Sequence, residues 1–212
     1  MSARRLPGPL LVVTDRHGSA RPLVDTVAAC LDGGTRWIWF RDRDMEPGER
    51  RCLGARLRDL TWSADAALTI GGDLDLAADL GADGVHLGGD RLDQIRAARA
   101  RLGPTALIGV SAHTCAEIAR AAAEGVDYAT LSPIFASASK PGYGPALGPA
   151  AIRKAVTRTG LPVVALGGVT SGTLAGCRAA GAVAVAVMGA PMRAADPAAE
   201  TRRLIRAWQH AG

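Results

Sequence analysis

The sequence predicts an α/β protein built as a single (β/α)8 TIM barrel, because short apolar runs and longer amphipathic segments alternate eight times. Parallel strands that are buried on both faces have near-continuous apolar sequences, and these runs have that character. Eight such strands, each followed by a helix, form the pattern of this barrel. The runs predicted as strands are LLVVTD (10–15), WIWFRD (37–42), ALTIGG (67–72), GVHLGG (84–89), LIGVSA (107–112), YATLSPIF (128–135), PVVALGG (162–168) and AVAVAVMG (182–189).

Helices are predicted in each interval between these strands and after the last one. Three of them have a plausible N-terminal capping residue: Asp73, Thr114, and either Thr170 or Ser171. The predicted ranges are 22–33, 48–61, 73–81, 92–102, 114–124, 147–158, 170–180 and 194–210.

An open, doubly wound sheet is the main alternative to the barrel. Such a sheet more often places a glycine fingerprint after its first strand, and the stretch TDRHGSARP that follows strand one contains none. The glycines instead follow strands three, four, six, seven and eight. No linker or low-complexity tract interrupts the pattern, so residues 1–212 are predicted to form one domain, with residues 1–8 as a flexible tail.

The composition predicts a protein with a buried core and without nucleic-acid or membrane partners. Of the 212 residues, 48% are hydrophobic and 21% are charged, and the net charge of +5 comes from arginines interspersed with acidic residues. That mixture is typical of solvated helix faces rather than of a nucleic-acid-binding patch. The four cysteines lack metal-binding spacing. No apolar run approaches the ~20 residues of a membrane span, and the N-terminus does not resemble a signal peptide, so a cytoplasmic location is expected.

The active site of such a barrel lies at the C-terminal ends of its strands, and the last two strands end in glycine turns. Gly167 and Gly168 follow strand seven, and Met188 and Gly189 end strand eight. Backbone N–H groups at glycine turns bind anions, and this is where barrels commonly hold phosphate. Tight turns that simply require glycine are the structural alternative.

Polar residues at the ends of other strands complete the predicted site. Arg41 and Arg43 share one face after strand two, and His86 near the end of strand four is either a packing residue or an acid–base group. After strand six, the stretch LSPIFASASKPGYGPALG (131–148) is long and rich in glycine, as lids often are. Its hydroxyl and ammonium groups suit a phosphate, although a disordered surface loop is the alternative; they belong to Ser137, Ser139 and Lys140.

Several of these segments together resemble the superfamily of thiamine phosphate synthases and TenI-type thiazole tautomerases. The matching pieces are VVTD, FRDRD, LDLAADLGADGVHLGGD, IGVSAHT, DYATLSPIFASASKPGYG, PVVALGGVTSG and GAVAVAVMGA, in that order along the chain. The resemblance implies a barrel that binds a thiazole phosphate. It also implies the residues around that ligand, which are Ser137, Ser139, Lys140, Gly168, Met188 and Gly189, with Ser111 nearby.

The chain departs from the synthase pattern where the resemblance implies magnesium ligands. The synthase joins a pyrimidine methyl diphosphate to a thiazole phosphate, and Mg²⁺ stabilises the departing diphosphate. The family's Asn-Asp pair after strand three falls on Gly71 and Gly72, and its carboxylate after strand four falls on Arg91. Asp73 and Asp90 are each displaced by one residue. In addition, Trp39 replaces an amide that would help to bind the pyrimidine.

The chain departs from the tautomerase pattern too, because Pro133 stands where the resemblance implies a catalytic His. Moving a double bond requires a proton acceptor and donor, and His86 is the remaining candidate. We favour a metal-independent, TenI-like isomerisation of a thiazole phosphate without a cofactor, with His86, Arg41 and Lys140 as catalytic residues. The alternatives are a synthase whose Mg²⁺ is held by Asp73 and Asp90, and a non-catalytic binder of thiazole phosphate or thiamine phosphate. A homodimer is possible in each case.

Overall fold

A computed structural model describes residues 5–19, 21–136 and 145–211. Eight parallel strands form a closed barrel in the order of the chain, and β1 pairs with β8 to close the ring. The prediction of a (β/α)8 barrel is therefore confirmed. The strands are β1 (Leu10–Val13), β2 (Trp37–Phe40), β3 (Ala67–Gly71), β4 (Gly84–Leu87), β5 (Leu107–Ala112), β6 (Tyr128–Leu131), β7 (Val163–Leu166) and β8 (Ala184–Val187).

Most strands end earlier than the sequence predicts, because the predicted runs include polar residues or glycines that follow the last ladder pair, and after β6 also apolar ones. The run 128–135 leaves the sheet after Leu131, and its last two residues lie beside the end of β7. There, the N–H of Ile134 donates to the carbonyl of Leu166, and that of Phe135 donates to Gly167. Ile134 is apolar because it is buried in the core between the barrel and the helices, not because it extends a strand.

The helices pack around the barrel and differ from the predicted ranges mainly at two places. The predicted helix 92–102 is a 3-10 turn (Leu92–Gln94) followed by α4, and a short α8 precedes the last helix. Asp196 caps α9 by accepting from the N–H of Ala199, and Pro197 is its first residue, so α8 and α9 are separate. The helices are α1 (Leu23–Asp32), α2 (Pro47–Ser63), α3 (Leu74–Asp79), α4 (Ile95–Leu102), α5 (Cys115–Ala123), α6 (Gly148–Thr159), α7 (Leu174–Ala179), α8 (Gly189–Arg193) and α9 (Pro197–Gln209).

Two of the three predicted helix caps are confirmed. The side chain of Asp73 accepts from the N–H of Leu76, and that of Thr114 accepts from the N–H of Glu117. The prediction of Thr170 or Ser171 was wrong, because α7 begins only at Leu174 and residues 170–173 form a turn. In that turn the side chain of Thr173 accepts from the N–H of Thr170.

Large aromatic side chains fill the interior of the barrel. Trp37 and Tyr128 meet edge to face with 4.8 Å between their ring centroids, and both are fully buried. Gly109 on β5 makes room, because a Cβ there would overlap the ring of Tyr128. The interior is therefore a packed core, and a ligand site has to lie above it at the strand ends. Among the described residues, no helix is both long and apolar enough to span a membrane.

One buried guanidinium joins the ends of β2 and β3 beneath the top of the barrel. Arg50 of α2, only 6% exposed, donates to the carbonyls of Asp42 and Gly71 and to a carboxylate oxygen of Asp73 at 2.7 Å. A buried charge is tolerated when its donors are satisfied in this way. The contacts fix the two strand ends to the start of α3.

Candidate active site

A cavity of about 1440 Å³ opens at the C-terminal ends of the strands. The structure brings most of the predicted site residues into its wall. These are Arg41, Arg43, Asp90, Ser111, Gly167, Gly168, Met188 and Gly189. His86 and Asp73 are not part of that wall. Ser137, Ser139 and Lys140 lie outside the described residues, so their predicted roles stay predictions.

Arg41 and Arg43 both face the cavity, while Asp42 between them points into the protein. Asp42 is 4% exposed, accepts from the hydroxyl of Thr14 and, at 2.8 Å, accepts from the backbone N–H of Arg16. The hydroxyl of Thr14 in turn accepts from the backbone N–H of Arg41. The buried carboxylate therefore ties the end of β1 to the end of β2 and directs the two guanidinium groups into the cavity.

His86 is sealed inside the barrel beneath the cavity floor. It is 0% exposed, and its ring lies against the Trp39 ring with 3.9 Å between centroids. Nδ1 lies 3.0 Å from the Tyr128 hydroxyl, and Nε2 lies 3.0 Å from the Ser111 hydroxyl. Burial, and then the nearby Arg43, lower the pKa of His86 to about 3, so the ring is neutral at physiological pH.

This arrangement argues against the predicted acid–base role of His86, because a ligand in the cavity does not reach its nitrogens. A neutral imidazole has one donor and one acceptor nitrogen. The role of Nδ1 in the hydrogen bond with Tyr128 therefore determines whether Nε2 donates to Ser111 or accepts from it. Ser111 is half-buried and lines the cavity. We therefore interpret His86 as a residue that orients the Ser111 hydroxyl.

The glycine turn after β7 is required by the close approach of the chain that follows β6. At Gly168 (φ +63°), a Cβ would overlap the carbonyl oxygen of Ala136 and lie 2.7 Å from the carbonyl carbon of Phe135. The backbone N–H groups of Gly168 and Val169 donate to no residue in the described part of the chain. Both residues line the cavity, so these two donors are suited to an anion there.

Sequence reasoning assigned no functional role to several residues that line the cavity, including His113, His17 and Asp44. Nδ1 of His113 lies 2.8 Å from the carbonyl oxygen of Ser132, so this nitrogen carries the proton and donates. The imidazole is thereby held beside Pro133. The one sequence signal for His113 is its position directly after β5.

His17 and Asp44 come from the loops after β1 and β2. Nε2 of His17 lies 2.7 Å from a carboxylate oxygen of Asp44, which also accepts from Arg16 at 2.8 Å. The hydrogen bond with His17 is the largest influence that lowers the pKa of Asp44. No pattern in the sequence pairs these two loops.

Two large side chains on the β2 side fill the space left by the glycines that end β3. A Cβ at Gly71 would lie 2.8 Å from Nε1 of Trp39. A Cβ at Gly72 (φ +65°) would lie 2.7 Å from Cζ of Arg43, with Nε and Nη2 at 3.0 Å. The indole and the guanidinium thus occupy the positions where the side chains of the family's Asn-Asp pair would begin.

The donors present do not fit a magnesium site. Mg²⁺ prefers carboxylate oxygens in near-octahedral geometry, whereas the two positions that would supply them are Gly72 and Arg91. The carboxylate of Asp73 binds Arg50 and caps α3, which leaves Asp90 as the displaced candidate on the cavity wall. Within the part of the chain that the structure describes, no three His, Cys, Asp or Glu side chains cluster as metal ligands do.

The sequence matches a family model described as thiamine monophosphate synthase over residues 10–190. The thiamine-phosphate synthase of Roseiflexus castenholzii is 38% identical over 200 residues, which cover 93% of this chain and 86% of that protein. The thiamine-phosphate synthase of Methanoculleus marisnigri is 39% identical over 196 residues, covering 92% of each chain.

A solved structure agrees with these sequence matches. The thiamine phosphate pyrophosphorylase from Pyrococcus furiosus superposes with a TM-score of 0.84 at 30% identity, covering 95% of this chain and 96% of the other. The family model spans most of the described barrel, from β1 to the start of α8. The chain therefore belongs to the thiamine monophosphate synthase family.

Proposed function

We propose that this chain joins a pyrimidine methyl diphosphate to a thiazole phosphate and so forms thiamine phosphate. The C–O bond to the diphosphate breaks, and both of its electrons leave with the oxygen as inorganic pyrophosphate. The lone pair of the thiazole nitrogen then forms the new C–N bond to the methyl carbon. The atoms and electrons balance without a proton transfer or a redox partner.

The observation that carries this proposal is that one cavity has anion-binding groups in two separate places. Arg41 and Arg43 follow β2, whereas the N–H groups of Gly168 and Val169, which donate to no described residue, follow β7, three strands away in the order β2-β1-β8-β7. Joining two phosphorylated molecules requires two such places, and isomerising one thiazole phosphate requires only one. The volume of about 1440 Å³ also exceeds the roughly 300–1000 Å³ of a typical single-ligand pocket.

The residues of the wall have distinct roles in this proposal. The glycine turn holds the thiazole phosphate, and the two arginines hold the diphosphate, where guanidinium forks match phosphate oxygens. The hydroxyl of Ser111, oriented by His86, lines the same cavity at β5 and donates to or accepts from a heterocycle. Binding both substrates in one cavity raises the rate of bond formation by proximity. The names of the relatives favour this reaction over the tautomerisation expected from the sequence.

The test is to incubate the folded protein with both substrates, with and without Mg²⁺, and to measure thiamine phosphate and pyrophosphate by chromatography. We expect equal amounts of the two products. The matched variants are Arg41→Met, which removes a diphosphate contact, and Arg56→Met, which removes an exposed arginine of α2. The first should lower kcat/KM for the diphosphate at least about tenfold, and the second should leave it unchanged. Absence of thiamine phosphate in both conditions would refute the proposal.

A second function, tautomerisation of a thiazole phosphate, is favoured by one observation. His113 lines the cavity beside Pro133, the position at which the resemblance implies the tautomerase histidine. An imidazole there can exchange a proton with a ligand, whereas the sealed His86 cannot. Conversion of the thiazole tautomer, abolished in His113→Gln and retained in His86→Gln, would support this function over the transfer. Thermal stabilisation by thiazole phosphate without either reaction would instead support a non-catalytic binder.

A further inference from the structure

Three guanidinium groups lie near one another at the β2–β4 side of the cavity. Arg41 and Arg43 line it, and Arg91 follows β4. Partial burial, and then the positive charges of Arg41, Arg50 and Arg91, lower the pKa of Arg43, and only Asp90 acts in the opposite direction. The side chains of Arg41, Arg43 and Arg91 form no ion pair with any residue in the described ranges, in contrast to the paired Arg50 close by. The cluster therefore concentrates positive charge that Asp90 offsets only in part.

The position of Arg43 is specific and not that of an arbitrary surface arginine. Its guanidinium lies over Gly72, within 3.0 Å of where a Cβ would be, so it takes the place of the side chain at that position. Arg91 stands at the second of the two positions where the resemblance implies a carboxylate. Both metal-ligand positions are thus lost: Gly72 is covered by the guanidinium of Arg43, and position 91 is itself an arginine.

We propose that Arg43, together with Arg41 and Arg91, replaces the divalent cation, so that a diphosphate is bound and its departing charge is neutralised without metal. The proposal rests on the proposed transfer, because that reaction supplies the diphosphate. A carboxylate at position 72 or 91 would repel the diphosphate unless a cation lay between them. A guanidinium at the same place binds the phosphate oxygens directly.

The chemistry of the guanidinium group suits the replacement of a divalent cation. It is protonated throughout the physiological pH range and presents parallel N–H donors to phosphate oxygens. Groups fixed where negative charge develops stabilise a transition state strongly, and here the charge develops on the oxygen of the leaving pyrophosphate. The mutual repulsion of the three arginines is relieved when the anionic diphosphate binds, so the cluster favours the bound state.

The test is calorimetric titration of the full chain with inorganic pyrophosphate in excess EDTA, and again with Mg²⁺. We expect binding in EDTA and no tightening by Mg²⁺. Arg43→Met should weaken binding in EDTA about tenfold or more, since it removes hydrogen bonds to a charged group. Arg91→Asp, an exposed substitution that restores a carboxylate, should also weaken binding in EDTA and make it respond to Mg²⁺. Arg56→Met should bind as the unsubstituted chain does.

The outcomes separate this inference from the proposed function. Binding of pyrophosphate only when Mg²⁺ is present, or equal affinity of Arg43→Met and Arg56→Met in EDTA, would overturn the inference. Formation of thiamine phosphate that stops completely in EDTA would also overturn it and would leave the proposed transfer intact. Metal-free binding that depends on Arg43, with no thiamine phosphate formed, would support the arginine site and refute the transfer.

Discussion

The buried imidazole of His86 predicts a specific pH dependence of stability. Its folded-state pKa is about 3, against an ordinary value of 6.5 in the unfolded chain. Because the folded pKa is depressed, the neutral ring contributes its full stability above about pH 6.5, and this contribution is lost as the pH falls toward 3. In that interval the unfolded chain binds a proton that the folded protein excludes.

The size of the effect follows from that difference in pKa. Between pH 7 and pH 5, protonation of His86 in the unfolded chain alone should lower the free energy of unfolding by about 2 kcal/mol. His86→Gln keeps a polar group beside Tyr128 and Ser111 but has no proton to take up. The variant should be less stable at pH 7, because the stacking on Trp39 is lost, and it should lack this part of the pH dependence.

Urea unfolding at pH 7, 6 and 5 measures the free energy of unfolding of the unsubstituted chain and of His86→Gln. Subtracting one pH dependence from the other removes the contributions of the other titrating groups, which both proteins share. The control is His210→Gln, which removes an exposed imidazole at the end of α9 and leaves the buried one in place. The gap in unfolding free energy between the unsubstituted chain and His86→Gln should shrink by about 2 kcal/mol from pH 7 to pH 5. A gap that stays constant over this range would refute the interpretation of His86 as a buried neutral residue.

Two further predictions concern the framework of the site. Arg50→Met removes a buried guanidinium and strands the carbonyls of Asp42 and Gly71, so it should cost about 2–4 kcal/mol of unfolding free energy. Its neighbour Arg51 makes an exposed ion pair with Asp79, so Arg51→Met should cost less than about 0.5 kcal/mol in a denaturation assay of both variants. Equal losses of unfolding free energy in the two variants would contradict the role of Arg50. Gly168→Ala should cost about 1–3 kcal/mol more than Gly160→Ala, because both have a φ near +65° but only Gly168 meets other backbone atoms. Similar thermal stabilities of these two variants would show that the chain after β6 does not constrain the turn.

The barrel could be predicted well from the sequence because each of its strands is a run of consecutive apolar side chains. Val12, Ile38 and Ile70 belong to runs that are buried on both faces, and such runs are visible without any knowledge of partners. The ends of the strands were less visible. Ile134 is as buried as any strand residue but lies beyond the end of β6, so hydrophobicity alone assigned it to that strand.

The site was predicted only in part, because its decisive contacts join residues from different strands. The absence of the Asn-Asp pair at Gly71 and Gly72 was visible in the sequence, but the occupation of that space by Trp39 and Arg43 was not. That exchange depends on the register that sets Phe40 beside Ile70 at the ends of β2 and β3. The surroundings of His86 could not be predicted for a related reason, since its burial follows from Trp39 and Tyr128, which contact it from other strands.

The most direct test of the central claim is a crystal structure of the protein with thiamine phosphate and pyrophosphate bound in a metal-free solution. The account predicts pyrophosphate oxygens within hydrogen-bonding distance of the guanidinium groups of Arg41 and Arg43. It also predicts the phosphate of thiamine phosphate on the N–H groups of Gly168 and Val169. Pyrophosphate that binds only together with a metal held by Asp90 and Asp73, or a phosphate away from the glycine turn, would contradict it.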